Sequence, residues 1–463
     1  MSSHLKEIEI IKRKELFDKF VDQTVKDKFL DFSMFPNIYK KNVTMITEGT
    51  DGIQINSNAD IEFGIGCTGS TIVDTLNLQE IVPYSITTYN RSDTEVTSIT
   101  KLVLPPEMEI IPDNAFTNLP NLEHIVFPIN VRTIGDFVCK GLSKLKSVVF
   151  PGIQSIDSMG IGCFEDCVNL VEVVYPRNIV RTKHKNSFNF EYKTTAFQES
   201  EESSLKDAWS GIPDRTFKNC RSLKRFNLKN VTIVGYQAFM DCSSLETLYN
   251  CEHIEHILES GFANTSSLKI LNNFNVIKTF GQRAFANSGL RGVYIHSDND
   301  VILGSGAFGG NYNMDEFELY APTIKIKDNC FAVCLNMVSC RLSNVVEIIS
   351  QAFGQCGIAE IDLSSSSLEL LPSVAFIRCD NLFRVVLPKT MRFIAADAFF
   401  QCASVCEFEM LATDCRCDVA YIFDPNYWRA PSIKFFIRQN TPFTQVAQRM
   451  VALRGGEITY YFD

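Results

Sequence analysis

Four cysteines near the end of the chain are the residues best suited to bind a metal ion. They are Cys402, Cys406, Cys415 and Cys417. Four thiolates brought together would hold zinc in a tetrahedral site. Their spacing matches no common set of zinc ligands, and Cys402 occupies a repeated position that favours a small buried apolar residue. We therefore expect no metal ion and no other cofactor.

Two histidines and a glycine-rich segment are the other groups that could support chemistry. His253 and His256 lack the spacing of a metalloprotease helix, and no G-x-S-x-G element is present. Residues 64–69 match G-x-G-x-x-G. A dinucleotide site also needs a βαβ unit around this motif, and the downstream sequence does not supply one, so a glycine-rich turn is expected. The sequence predicts no catalytic residue and no enzyme.

A repeat of about 23 residues explains why the chain has 36 phenylalanines. We call the aromatic position of each unit the central position, and it falls at Phe116, Cys139, Phe164, Phe217, Phe239, Phe262, Phe285, Phe308, Phe331, Phe353, Phe376 and Phe399. Three residues later most units have a cysteine or another small residue. The segment A-F-x-x-C predicts a helical or 3₁₀ turn. The following L-x-x-h-x-h, where h is apolar, has period two and predicts a short half-buried strand.

The repeat resembles the BspA-like leucine-rich repeats of the Treponema pallidum type. The shared pattern is I-x-x-x-A-F-x-x-C-x-x-L-x-x-h-x-h-P, and it covers about residues 95–412. The resemblance implies a non-catalytic binding protein. Members of the family are typically surface antigens or adhesins that bind host proteins, whereas this sequence shows neither an export signal nor an anchor.

The predicted fold is an α/β repeat solenoid. One unit cannot bury its apolar positions alone, so successive coils must stack, pair their strands in parallel and align the central phenylalanines. We expect a right-handed leucine-rich-repeat coil of about 12 units of about 23 residues, with its sheet on the concave face and a cap at each end. The predicted parts are an N-terminal amphipathic helical segment, an N-terminal cap with a partial first coil, the solenoid and a C-terminal strand–helix–strand cap, at residues 1–42, 43–105, 106–412 and 413–463 respectively.

Two flanking features leave alternatives open. The interval between Phe164 and Phe217 is longer than one repeat, which predicts an insertion at residues 177–206. This insertion is either a solvated loop or the carrier of a specific contact. The amphipathic segment 1–42 is either a capping helix or a helix that binds a partner or a membrane surface.

Residues that alternate with the buried strand positions should point outward from the predicted sheet. They supply candidate partner-binding residues, namely Tyr249, Tyr294, Glu316, Glu318, Arg341, Glu360, Asp362, Glu407 and Glu409. In the first coils the same positions include Val126, Ser147 and Val149. Tyrosine is a frequent interface anchor, and the excess of carboxylates favours a basic contact patch on the partner. The alternative is that these residues are polar only for solubility.

Charge and hydropathy narrow the classes of partner. The net charge of −10 disfavours binding of nucleic acid, and the chain has no apolar run of membrane-spanning length. We expect a cytoplasmic, non-catalytic scaffold or adaptor whose partner is a protein with a basic surface or a large intracellular assembly. The alternative is a BspA-like surface antigen or adhesin that reaches the cell surface by a route not visible in the sequence.

Overall fold

The computed structural model describes residues 100–104, 108–150, 155–176, 178–179, 211–417 and 431–461, with the backbone of strands at 46–49, 52–55 and 60–62. Segment 1–42, the motif at 64–69 and most of the insertion lie outside the described residues, so their predictions remain predictions. The chain divides into two compact units. The first comprises residues 1–190, 200–231 and 238–245, and the second comprises residues 191–199, 232–237 and 246–463.

The first unit contains fourteen strands among its described residues. They are β1 (Ile46–Gly49), β2 (Gly52–Ile55), β3 (Asp60–Glu62), β4 (Lys101–Val103), β5 (Ile110–Ile111), β6 (His124–Val126), β7 (Thr133–Ile134), β8 (Ser147–Val149), β9 (Ser155–Ile156), β10 (Ser158–Met159), β11 (Glu172–Val174), β12 (Asn178–Ile179), β13 (Gly211–Ile212) and β14 (Arg225–Asn227). β1 and β2 are antiparallel, whereas the sheets β3-β4-β6-β8-β11, β5-β7-β10 and β9-β12 are parallel.

The second unit contains the remaining described strands and a helix. They are β15 (Ile233–Val234), β16 (Thr247–Tyr249), β17 (His256–Ile257), β18 (Ile270–Asn272), β19 (Thr279–Phe280), β20 (Gly292–His296), β21 (Val301–Leu303), β22 (Glu316–Tyr320), β23 (Ile324–Ile326), β24 (Ser339–Leu342), β25 (Val345–Ile348), β26 (Glu360–Asp362), β27 (Leu370–Leu371), β28 (Arg384–Leu387), β29 (Phe393–Ile394), β30 (Glu407–Met410), β31 (Arg416–Cys417), β32 (Ile433–Arg438), α1 (Pro442–Arg454) and β33 (Gly456–Tyr461). Its sheets β15-β17-β19-β21-β23-β25, β18-β20-β22-β24, β26-β28-β30-β32-β33 and β27-β29-β31 are parallel.

The predicted solenoid is confirmed, with about 13 parallel turns of about 23 residues. Central phenylalanines stack within each unit because successive coils lie one strand spacing apart. In the first unit the rings of Phe164 and Phe217 have centroids 5.5 Å apart. In the second, Phe285 stacks on Phe262 at 5.0 Å and on Phe308 at 5.7 Å. The aromatic ladder therefore forms the core of each unit.

Each coil has two strands where the sequence predicted one. The additional strands, such as β5 and β7 in the first unit and β15 in the second, contain the apolar residue five positions before the central position. Between the two strands of a coil, the A-F-x-x-C segment forms a hydrogen-bonded turn. In most coils the residues two before and two after the central position have φ between 52° and 78°. Asn, Asp or Gly often fills the later position because these residues tolerate a left-handed backbone.

In the turn formed by these residues, every second backbone amide points toward the next coil. In the second unit Arg283, Phe285 and Asn287 donate from their amides to carbonyl oxygens of the following coil at 2.9, 2.7 and 2.9 Å. The backbone of the turn is therefore paired between coils much as the strands are.

The repeated cysteine position has a polar role that the sequence interpretation missed. The Sγ atoms of Cys242 and Cys379 donate to the carbonyl oxygens of Phe217 and Phe353, each one coil earlier, at 3.0 Å. Ser288 Oγ and Asn311 Nδ2 donate to the equivalent oxygens of Phe262 and Phe285 at 3.0 and 2.9 Å. In these coils the position thus holds a small buried hydrogen-bond donor, a role that the interpretation as a small buried apolar residue did not include.

The C-terminal residues form a strand, a helix and a strand. Pro442 begins α1, and the Thr441 amide donates to Thr444 Oγ1 at 3.1 Å. Phe443, Val446 and Ala447 of α1 are buried. β32 pairs with β30, and β33 pairs with β32, so this segment extends the parallel sheet. That it acts as a cap remains a prediction.

Candidate protein-binding surface

In each repeat the L-x-x-h-x-h segment contains a strand. We call the surface formed by the outward side chains of these strands the strand face. In the second unit, strand register places the candidates of β20, β22 and β24 side by side. Gly292 pairs with Glu316, and Glu318 lies between Tyr294 and Arg341. Leu271, Val293 and Phe317 alternate with them and are buried, as the period of two requires. Four of the predicted residues, Tyr294, Glu316, Glu318 and Arg341, are therefore brought together on one sheet.

Two contacts orient Tyr294 on this face. A Cβ atom at Gly292 would lie 2.6 Å from Tyr294 Cε2, so the ring lies over a residue that has no side chain. Tyr294 Oη donates to Glu316 Oε2 at 2.8 Å. This bond raises the pKa of Tyr294, and burial and the carboxylates of Glu316 and Glu318 raise it further. The ring is 41% exposed, and Ile270, on the neighbouring strand in register with Gly292, is 55% exposed.

Glu318 differs from Glu316 because its negative charge is offset by an ion pair with Arg341. Arg341 Nη1 lies 2.5 Å from Glu318 Oε1, and this contact raises the pKa of Arg341. Glu316 instead accepts a hydrogen bond from the neutral hydroxyl of Tyr294. The predicted carboxylates are therefore not equivalent as sites for a cation.

The sheet β26-β28-β30-β32-β33 carries the other acidic candidates in a row of alternating charge. The residues in register along this row are Glu360, Arg384, Glu407, Lys434 and Glu457. The Arg384 guanidinium lies 3.6 Å from Glu360, 3.7 Å from Glu407 and 3.4 Å from Glu409. Lys434 lies 3.2 Å from Glu457. Arg384 and Lys434 therefore offset part of this acidity, but the carboxylates of the row and of Glu409 outnumber these two cations.

The sequence interpretation missed two residues of the strand face, and one of its candidates, Tyr249, lies on a different sheet. His296 and Tyr320 extend the outward positions of β20 and β22, and their ring centroids are 6.1 Å apart. The alternation of Glu316, Glu318 and Tyr320 was the signal that could have found them. Tyr249 is 45% exposed on β16, which belongs to neither of these two sheets.

The valines expected on the strand face of the first unit are not exposed. Val126 and Val149 lie side by side in register, and both are buried. Ser147 is also buried, and its Oγ atom lies 2.7 Å from His124 Nδ1. Because these side chains are covered, they supply no exposed apolar anchor, and the expectation for them was wrong.

The groups considered for metal binding are dispersed. Among the described residues, which include the four cysteines from 402 to 417, no group of three His, Cys, Asp or Glu side chains is arranged to hold a metal ion. Cys402 Sγ instead donates to the Phe376 carbonyl oxygen at 2.8 Å. His253 is exposed and His256 is half-buried, and burial lowers the pKa of His256 to about 4. In the part of the chain that the structure describes, no helix has the length and apolar character needed to cross a membrane.

The repeats identify a class of protein. Residues 85–200, 191–308 and 301–415 match the BspA type leucine rich repeat region (6 copies). Because these matches cover more than half of the chain, the protein belongs to the BspA-type leucine-rich repeat family. Proteins of this family are generally protein-binding or surface proteins, and they are typically non-catalytic scaffolds.

Solved structures of other leucine-rich repeat proteins are similar to this chain. A leucine-rich repeat protein from Bacteroides ovatus is 17% identical, with 78% of this chain and 92% of that chain covered and a TM-score of 0.38. A leucine rich cell surface protein from Faecalibacterium prausnitzii is 16% identical, with 78% and 88% covered and a TM-score of 0.35. A chain of the Toll–Spatzle complex from Drosophila is 15% identical, with 79% and 47% covered and a TM-score of 0.35. No curated protein matches the chain significantly.

Proposed function

We propose that the protein is a non-catalytic scaffold that binds a partner protein through the strand face of its second unit, centred on Tyr294 and Glu316. The observation that carries this proposal is the orientation of the exposed Tyr294 side chain by its contacts with Gly292 and Glu316. Its ring lies over Gly292, its hydroxyl is bound to Glu316, and Ile270 is exposed beside it. An aromatic side chain that is ordered before binding loses little conformational entropy on binding, which favours its use as an anchor.

A basic side chain is the partner group that best fits this anchor. The face of a tyrosine ring attracts a cation, and the Glu316 carboxylate lies at the edge of that ring. Asp362 adds a second carboxylate, which accepts from the Ser364 amide at 2.9 Å. Glu360, Glu407 and Glu409 share the guanidinium of Arg384, which partly offsets their charge, so we place the strongest electrostatic attraction near Glu316 and Asp362.

Photo-crosslinking tests whether this part of the face contacts a partner. A photoreactive amino acid at position 270 should capture the partner in cells, and the same residue at position 312 is the matched control. Tyr312 is 52% exposed but lies in a turn outside the strand face. Equal capture of the same protein from both positions, or capture from position 312 alone, would contradict the proposal.

Substitution of single residues then measures how much each side chain contributes to the affinity for the partner. Tyr294→Ala should weaken the binding of the captured partner about 30-fold, which corresponds to an anchor worth about 2 kcal/mol. Tyr312→Ala should leave the affinity unchanged. Charge reversal at Glu316, Glu318, Glu360 and Asp362 should weaken binding and reduce its dependence on salt. Unchanged affinity and salt dependence would reject a basic contact patch.

The location of the protein in the cell distinguishes an intracellular scaffold from the alternative function of a surface antigen or adhesin. Both would use the same surface, and membership of the family is compatible with both. Labelling of intact cells with a reagent that does not cross membranes, together with analysis of N-glycans at Asn42 and Asn264, distinguishes the two. Labelling or glycosylation supports the surface protein, and protection in intact cells with labelling after lysis supports the scaffold.

A further inference from the structure

Among the described residues, β33 is the last strand of the parallel sheet β26-β28-β30-β32-β33 and has an open edge. Within the described residues its one strand neighbour is β32, with which all six of its residues pair. Its sequence, Gly-Glu-Ile-Thr-Tyr-Tyr, contains no lysine and no proline, the residues that commonly protect an edge from pairing. The outer backbone groups of β33 are therefore suited to accept another strand.

The apolar side of this strand is incompletely covered. Phe435 and Ile437 of β32 are fully buried, whereas Ile458 and Tyr460, their partners in register on β33, are only half-buried. Leu453, near the end of α1, is 73% exposed. A further strand beside β33 would bury the remaining surface of Ile458 and Tyr460, which is favourable in proportion to the apolar area removed from water.

A backbone hydrogen bond at the start of β33 determines which groups of this strand face outward. The Ile433 amide donates to the Gly455 carbonyl oxygen at 3.0 Å. Because backbone groups alternate in direction along a strand, Glu457 and Thr459 turn theirs toward β32. Ile458 and Tyr460 consequently turn their amides and carbonyls toward the open edge.

We propose that β33 pairs with β33 of a second copy of this chain, antiparallel about a two-fold axis at Thr459. In this register Ile458 of one copy forms a hydrogen-bonded pair with Tyr460 of the other, and the axis generates the same pair again. Both residues point to the apolar side of the sheet, so each pair places a β-branched residue opposite an aromatic ring, which is a favourable cross-strand combination. The sheet then continues from one copy into the other.

Charge favours the antiparallel direction. Glu457 is the one charged residue of β33, and Lys434 of β32 lies 3.2 Å from it. A parallel pair in register would place the two Glu457 carboxylates side by side, which is unfavourable. In the antiparallel pair the two Glu457 side chains lie at opposite ends of the paired strands, where each faces Tyr461 of the other copy. The strand is therefore complementary to itself.

Substitution at the axis provides the sharpest test, because Thr459 of one copy would lie opposite Thr459 of the other copy. Thr459 is exposed, so Thr459→Lys and Thr459→Glu should each leave the fold intact. Light scattering on purified full-length protein should give twice the monomer mass for the wild type and the monomer mass for each variant alone. An equimolar mixture of the two variants should recover twice the monomer mass, because opposite charges then meet at the axis. Asn272→Lys, at an exposed position of β18, should remain dimeric.

Disulfide trapping checks the register. Residues opposite each other in a non-hydrogen-bonded antiparallel pair have Cα atoms about 4.5 Å apart, which is within reach of a disulfide. Thr459→Cys should therefore form a covalent dimer on oxidation, whereas Glu457→Cys, which faces Tyr461 of the other copy, should not. A monomeric wild type, a Thr459→Lys variant that stays dimeric, or a Glu457→Cys variant that crosslinks as readily as Thr459→Cys would overturn the proposal.

Discussion

The thiol of Cys379 donates a hydrogen bond of 3.0 Å to the backbone carbonyl oxygen of Phe353, one coil earlier. The same oxygen accepts the Cys356 amide at 3.2 Å. A side chain in one coil thus closes the turn of the preceding coil. Cysteine, serine and asparagine can all donate from this position, whereas the coils of Phe116 and Cys139 have leucine there.

Replacement of Cys379 separates its hydrogen bond from its apolar volume. Threonine and valine have nearly the same shape, but only threonine can donate to Phe353. We expect Cys379→Thr to be more stable than Cys379→Val by about 1 kcal/mol, the usual net value of one hydrogen bond. Denaturant unfolding of the two variants measures the difference. Equal stability, or a more stable valine variant, would show that the position requires only a small apolar residue.

Truncation of a central phenylalanine should be costly. Phe285 is fully buried between Phe262 and Phe308, so Phe285→Ala removes contacts on both sides of the ring and leaves a cavity. We expect the free energy of unfolding to fall by about 3–5 kcal/mol. Phe393→Ala is the control, because Phe393 is 38% exposed on β29, and its effect should be much smaller. Similar losses for the two variants would argue against the aromatic ladder as the core.

His256 should make stability depend on pH. Burial lowers its pKa to about 4; the Glu255 carboxylate opposes this shift, and Lys278 adds to it. The unfolded chain takes up this proton near pH 6.5, but the folded chain does so only near pH 4. Stability should therefore fall as the pH decreases from about 6.5 to about 4, by at most about 3 kcal/mol.

His256→Gln provides the comparison, since glutamine does not titrate. Unfolding by denaturant at several pH values should show a smaller decrease for this variant than for the wild type across the same interval. Parallel curves for the two proteins would mean that His256 is not held neutral by the fold.

The insertion should be dispensable for folding of the first unit. The Phe164 amide donates to the Thr216 carbonyl oxygen at 2.9 Å, so coils on either side of the insertion pair directly. β12 and β13 lie close enough for a short connection. Replacing residues 181–206 of the insertion with a short glycine–serine linker retains β12, which pairs with β9. It should change the free energy of unfolding by less than about 1 kcal/mol, because closure entropy varies slowly with loop length.

Binding of the partner by the shortened protein separates the two roles left open for the insertion. Unchanged affinity supports a solvated loop, and lost affinity with intact stability supports a specific contact. A large loss of stability would contradict the direct pairing of the flanking coils.

The sequence alone determined the repeat and therefore the solenoid. A central phenylalanine every 23 residues or so, with an L-x-x-h-x-h strand after it, leaves few ways to bury the apolar positions except by stacking. Period-two alternation also placed Tyr294, Glu316 and Glu318 on an outward face, because that relation depends only on neighbours along one strand.

Only the tertiary structure decided which of these side chains touch. Tyr294 with Glu316, and Arg384 with three carboxylates, are pairs formed across strands from different coils. Their contacts depend on strand register and side-chain direction, which no local pattern specifies. The burial of Val149 and the donor role of Cys379 depend in the same way on the neighbouring coil. The chain therefore encodes its repeat locally, whereas the chemistry of its surface results from stacking.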